Sequence, residues 1–135
     1  MLLMLEDDPD RIERFTRTLK RIDASLPLVI WHSARAMIRE VGDVLPQARL
    51  ISLDHDLEPW DGETEDPGEG VEVARFLAER PPVCPVLIHS SNRTRSDWMI
   101  GDLDLGGWSY RRVAPIGENW IEEYWHAVVK DFLRG

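Results

Sequence analysis

Short apolar runs alternate along this chain with longer segments in which apolar residues recur every three or four positions. The first run, Leu2 to Leu5 ("LLML"), predicts a strand. Asp8-Pro9 then offers a cap and a first-turn proline, and Ile12, Phe15, Leu19 and Ile22 follow at helical spacing. "LPLVIW" (Leu26 to Trp31) predicts a second strand, and Ser33 caps a helix carrying Met37, Val41 and Leu45 on one side. A third strand, "RLISL" (Arg49 to Leu53), runs into an acidic loop. Val73, Ala74 and Leu77 mark a third helix, stopped by Pro81-Pro82. "PVLI" (Pro85 to Ile88) predicts the fourth strand, "SDWMIGDL" (Ser96 to Leu103) a short helix, and "WSYRRVAP" (Trp108 to Pro115) a fifth strand. The last helix takes Asn119 as its cap, with Ile121, Tyr124, Val128 and Phe132 along one face.

Strand and helix alternating five times predict an α/β fold, a parallel five-stranded sheet with helices on both faces. The 135 residues suit a single domain, 1–135. The compositional break is the loop from Glu58 to Gly70, rich in acid, glycine and proline. It is longer than an ordinary connection and reads as a lid or as decoration.

Composition narrows the class of protein. With 43% hydrophobic and 30% charged residues, the chain reads as a globular protein. No apolar run approaches the length of a membrane span, and the N-terminus reads as a strand, not a signal peptide. Cys84 is the only cysteine, which fits a cytoplasmic location. The formal charge of -9 argues against a protein that grips long nucleic acid by neutralising phosphates, while leaving room for a small anionic ligand at a locally favourable site.

In a parallel open sheet, ligands sit outside the carboxyl ends of the strands. Those ends carry Glu6, Asp7 and Asp8, then His32 and Ser33, then Asp54, His55 and Asp56, then His89, Ser90, Ser91, Asn92 and Arg93. The opposite ends carry nothing comparable. Glu6, Asp7, Asp54 and Asp56 are candidate ligands for a hard divalent cation, magnesium or manganese, which would also offset the repulsion between Asp54 and Asp56. A calcium-hand reading of Asp54, Asp56, Glu58 and Glu65 fails because Pro59 stands where the turn needs glycine. Asp8 reads as a helix cap.

Alternation along a strand puts Asp54 and Asp56 on one face and His55 on the other, and separates His89 from Ser90 in the same way. At a strand terminus that rule weakens, so His55 and His89 remain candidates for acid–base work in a common pocket, whereas His32 and His126 read as surface or packing residues. "HSSNRTRS" (His89 to Ser96) offers hydroxyls, an amide and arginines at the start of a helix, a pattern able to hold a phosphate. Ser90, Ser91, Asn92 and Arg93 are the candidate substrate contacts. Of the six tryptophans, only Trp60 in the acidic loop is a candidate stacking surface.

In these motifs the chain resembles a response-regulator receiver domain. "LEDDP" puts Glu6 and Asp7 on the receiver's acidic pair, "LDHDLEPWDG" puts Asp54 on the phosphoacceptor position, and "PVLIHSS" puts Ser90 on its hydroxyl position. The resemblance implies a flavodoxin-like strand order 2-1-3-4-5. One departure matters: "VAP" places Ala114 where receivers carry a lysine, and Arg112, two positions earlier, is the candidate substitute. The interposed His55, the second aspartate and His89 ahead of Ser90 make the chain more similar to the cyclic-phosphate processing receiver-like group. That resemblance implies a metal-dependent phosphodiesterase, a hydrolase opening the cyclic phosphate of a nucleotide or RNA end. Its site would comprise Asp54, His55, Asp56, His89 and Ser90, with a small phosphorylated ligand or nucleotide as partner. Two other functions remain open: a divergent signalling receiver phosphorylated on Asp54, and a non-catalytic sensor of a phosphorylated ligand.

Overall fold

The computed structural model describes residues 1–134. Its five strands are β1 (Leu2–Leu5), β2 (Leu28–Trp31), β3 (Leu50–Leu53), β4 (Val86–Ile88) and β5 (Tyr110–Arg112), and they form one sheet in the order β2-β1-β3-β4-β5. Every neighbouring pair is parallel. The helices are α1 (Pro9–Ile22), α2 (Ala34–Glu40), α3 (Gly70–Ala78), α4 (Arg93–Leu105) and α5 (His126–Arg134).

Both faces of the sheet are covered, which is why β1, β3 and β4 are apolar at almost every position. Leu3, Leu5, Ile51, Leu53, Val86 and Ile88 pack against α2, α3 and α4 through Met37, Ala74, Leu77 and Met99. Leu2, Met4, Leu50 and Leu87 face α1 and the C-terminal helix through Phe15, Leu19, Trp120, Trp125 and Val129. The period of two thus sorts the strands into two cores, and it continues into the residues just beyond them.

Several boundaries differ from the sequence expectation for identifiable reasons. The fourth helix is not short: Asn92 caps it by accepting from Arg95 N at 3.0 Å, and the helix runs through Gly101 to Leu105. The second helix stops at Glu40 and continues as 3-10 turns at Val41–Asp43 and Leu45–Gln47, the second containing Pro46, though Val41 and Leu45 still reach the core. The last helix is not capped by the Asn119 side chain. It opens with a π-helical turn, Ile121–Trp125. The fifth strand shrinks to three residues at the sheet edge, where Arg111 is solvated and an arginine pair is tolerated.

The acidic loop folds back over the ends of β1 and β2. Trp60 Nε1 donates to the Asp7 carbonyl at 2.7 Å, Glu58 N donates to Asp7 Oδ2 at 2.8 Å, and Ala34 N donates to Pro67 O at 2.8 Å. The Trp60 ring stacks on His32 with centroids 3.7 Å apart and planes 4° from parallel. No described helix is long and apolar enough to cross a membrane.

Candidate functional site

Strand register builds the site. Leu5 pairs with Leu53 and Leu53 with Ile88, so the next residues of the three central strands, Glu6, Asp54 and His89, emerge side by side at the carboxyl edge. Backbone bonds hold them there: Asp54 N donates to Leu5 O at 3.1 Å and His89 N to Leu53 O at 2.9 Å. Counting back in twos to Met4, Ser52 and Leu87 places all three side chains on the face covered by α1 and the C-terminal helix.

One oxygen of Glu6, one of Asp54 and a ring nitrogen of His89 lie within 4.8 Å of one another. Glu6 and His89 are fully buried and Asp54 is 5% exposed, so Asp54 is the member that reaches solvent. Glu6 Oε2 accepts from Asp7 N and Asp8 N, both at 3.1 Å, and Glu6 Oε1 lies 3.1 Å from His89 Nε2. Asp54 Oδ1 accepts from His55 N at 2.8 Å. Arg11, in the first turn of α1, brings a guanidinium nitrogen to 3.8 Å from Glu6 and 4.0 Å from Asp54, its other side resting over the Trp120 ring. Phe15 lies against His89 with ring centroids 5.0 Å apart and steadies the imidazole.

The two carboxyls respond oppositely to this setting. Burial drives Asp54 up to about 7; Glu6 adds repulsion, while His89, the His55 N–H and Arg11 pull the other way without cancelling the burial. Burial also pushes Glu6 up, but the hydrogen bond and charge of His89, the Asp8 N–H and Arg11 outweigh it and hold that carboxyl below its ordinary value. The pair thus contains one carboxyl held below its ordinary value and one raised by burial, the pattern found at functional sites.

The other candidates lie elsewhere. Asp56 does not share a face with Asp54. The strand ends at Leu53, alternation has lapsed by residue 56, and the Asp56 side chain is 66% exposed. The Asp56 carboxylate is thus solvated. Asp7 turns toward the acidic loop, where burial raises its carboxyl despite the N–H of Glu58. His55 does not join His89: it lies on the opposite side of the sheet, 1% exposed, with Nδ1 accepting from Val71 N at 3.3 Å at the start of α3. Burial lowers its pKa. Ser90 is buried on that same side and its hydroxyl accepts from Asn92 N at 3.1 Å. Asn92 is occupied as the cap of α4, and Ser91 and Arg93 are exposed. Arg112, the candidate substitute for the receiver lysine, donates to the Ser90 carbonyl at 3.2 Å; the cation beside Asp54 is Arg11.

Two features went unread in the sequence. Arg11 carried a faint signal, a basic residue in the first turn after the acidic strand end. Ser52 carried a clearer one, a lone hydroxyl inside an apolar strand of a parallel sheet.

A five-stranded parallel sheet in this order, with acidic and imidazole groups gathered at its carboxyl edge, defines a receiver-type domain. The chain belongs to the cyclic-phosphate processing receiver domain family, whose model matches residues 1–105. Solved structures agree on the fold. A response regulator receiver domain from Rhodospirillum rubrum aligns over 99% of this chain and 94% of its own, with 15% identity and a TM-score of 0.71. The isolated receiver domain of RcsB from Salmonella enterica serovar Typhimurium, with phosphomimetic BeF3-, aligns over 96% and 87%, with 12% identity and a TM-score of 0.66. The Mn(2+)-bound form of response regulator Rcp1 aligns over 92% of each chain, with 19% identity and a TM-score of 0.59. The sequence matches none of the curated proteins compared with it.

Proposed function

We propose that this domain hydrolyses the cyclic phosphate of a nucleotide or RNA end at the edge formed by Glu6, Asp54 and His89, with a divalent cation as cofactor. The observation that carries this reading is the buried carboxylate–carboxyl–imidazole group, with only Asp54 open to solvent, in a chain of the cyclic-phosphate processing receiver family. Magnesium or manganese fits the donor set: two carboxyls lie close together, and burial, with repulsion from Glu6, holds one of them up to about 7. Glu6 and Asp54 would hold the ion. When bound, it would polarise the phosphoryl oxygens and acidify a water.

The protein's own groups account for the remaining chemistry. Opening the ring adds water to phosphorus, breaks one phosphorus–oxygen ester bond and returns a proton to the departing oxygen, leaving a phosphomonoester. Asp54, the member of the group open to solvent, would orient the attacking water as a carboxylate, with solvent taking up its proton and supplying one to the leaving oxygen. Arg11 stands where a guanidinium can bind a phosphoryl oxygen, and His89 keeps the Glu6 carboxylate oriented. Asp56, His55 and the Ser90–Arg93 turn have no part in this chemistry as proposed.

A second reading is a signalling receiver phosphorylated on Asp54. The response-regulator likeness and the position of Asp54 just after β3 favour it. Ala114 in place of the lysine weighs against it.

Purified protein assayed with 2',3'- and 3',5'-cyclic nucleotides and manganese is expected to yield phosphomonoester; Asp54→Asn should lower turnover by about 100-fold or more and His89→Gln by about 10- to 100-fold. Turnover unchanged in both variants refutes the assignment. Acid-labile phosphate on Asp54 after treatment with a small phosphodonor, with no cyclic-nucleotide turnover, supports the signalling reading.

A further inference from the structure

A row of buried polar groups crosses the core between the sheet and the C-terminal helix. Trp125 Nε1 lies 3.1 Å from Ser52 Oγ, Ser52 Oγ lies 2.7 Å from His89 Nδ1, and His89 Nε2 lies 3.1 Å from Glu6 Oε1. Trp125, Ser52, His89 and Glu6 are each 0% exposed. Leu50, Leu87, Phe15 and Val129 surround this face, so water does not explain a polar row here. Trp125 closes the π-helical turn that precedes α5, a helix distortion frequent at functional sites.

Donor counting fixes the protons. An indole N–H only donates, so Trp125 uses one lone pair of Ser52 Oγ. The serine proton needs an acceptor, and among the described residues the one within reach is His89 Nδ1. Nδ1 of the neutral ring is then bare, and the ring proton sits on Nε2, directed at Glu6. The opposite tautomer would leave the serine proton without an acceptor among buried apolar side chains, which is unfavourable.

We infer that Ser52, locked by Trp125, is a positioning residue that confines the uncharged form of the His89 ring to its Nε2–H tautomer, aimed at the Glu6–Asp54 edge. The role assigned to His89 rests on the hydrolytic reading above; the tautomer lock does not. With its Nε2 proton engaged by Glu6, His89 acts as a donor that orients the carboxylate, and a cation at this edge would be held by carboxylate oxygens.

Two-bond proton–nitrogen correlation spectra of the metal-free, nitrogen-15-labelled protein at alkaline pH test this directly, with His89→Gln assigning the ring. The expected His89 pattern is a single tautomer with its proton on Nε2. In Ser52→Ala the nitrogen shifts are expected to move toward a tautomer average, while Ser52→Thr, which restores the hydroxyl, keeps the wild-type pattern. Trp125→Phe, which removes one N–H and keeps an aromatic ring, is expected to loosen the preference and serves if Ser52→Ala fails to fold. A wild-type ring protonated on Nδ1 or averaged between tautomers overturns the inference, as does an unchanged pattern in Ser52→Ala or, if that variant does not fold, in Trp125→Phe. A protein that turns over no cyclic phosphate would still show these spectra, so the two readings fail separately.

Discussion

Replacing Asp54 by asparagine is expected to make the protein more stable at pH 8, by a few kcal/mol, even though it removes a central group of the site. The folded protein holds this carboxyl near 7, whereas its ordinary value is 3.8. Between those values the unfolded chain has released the proton and the folded chain keeps it. The stability tied to that retained proton is fully present below the ordinary value, erodes as pH rises through the window, and is gone above about 7. A gap of roughly three units at about 1.4 kcal/mol each sets the ceiling, and coupling with Glu6 reduces it. The asparagine introduced by Asp54→Asn can still accept from His55 N through its amide oxygen, so the substitution removes the buried charge and little else. Calorimetry at pH 5 and pH 8 should show the melting temperature of the variant above wild type by several degrees at pH 8, with a smaller difference at pH 5. A variant less stable than wild type at pH 8 contradicts this picture of Asp54. Gain of stability with loss of activity is the expected trade at a site that stores unfavourable charge.

The opposite effect is expected at Gly70. A Cβ at this position would overlap the Asp54 carbonyl oxygen and approach His55 Cα to 2.7 Å. Both obstacles are backbone, so no rotamer relieves them. Gly70 N also donates to His55 O at 2.9 Å, which ties the start of α3 to the exit of β3. Gly70→Ala must push the helix off that exit and carry Asp54 with it. A loss of about 3 kcal/mol is expected, near the upper end for overpacking, with a melting temperature lower by about 10 °C. Gly42→Ala is the control, since nothing lies within 4 Å of a Cβ there. Urea unfolding should separate the two variants clearly. Equal midpoints for Gly70→Ala and wild type would mean that the helix–strand contact carries no stability.

The sequence was most informative where burial is two-sided. β1 is bounded as its apolar run predicts, and β3 and β4 each begin one residue later than predicted, because only a covered parallel strand reads as an unbroken apolar run. The strand order came from the receiver resemblance, not from periodicity, and the sheet agrees with it. Within the site, Glu6, Asp54 and His89 were legible because they follow apolar runs that lie side by side in register. Their separation from His55 and Ser90 was legible too, since alternation persists for two residues past β3 and β4. It fails at Asp56, where the chain has already turned into solvent. The roles of Ser52 and Arg11 were not read despite those signals, because each acts through partners distant in sequence. The acidic loop was ambiguous for a related reason: its anchors, Trp60 on His32 and Trp60 Nε1 on the Asp7 carbonyl, are tertiary contacts between residues without a shared pattern.

Whether Glu6, Asp54 and His89 form a working cation site, and not merely a buried polar cluster, is decided by titrating the protein with Mn2+ while following free Mn2+ by electron paramagnetic resonance. One saturable site is expected in the wild-type protein, lost in both Glu6→Gln and Asp54→Asn and retained in Asp56→Asn, whose side chain lies in solvent. Equal Mn2+ uptake by wild type, Glu6→Gln and Asp54→Asn, or uptake that disappears only with Asp56→Asn, would contradict a cation held at this edge.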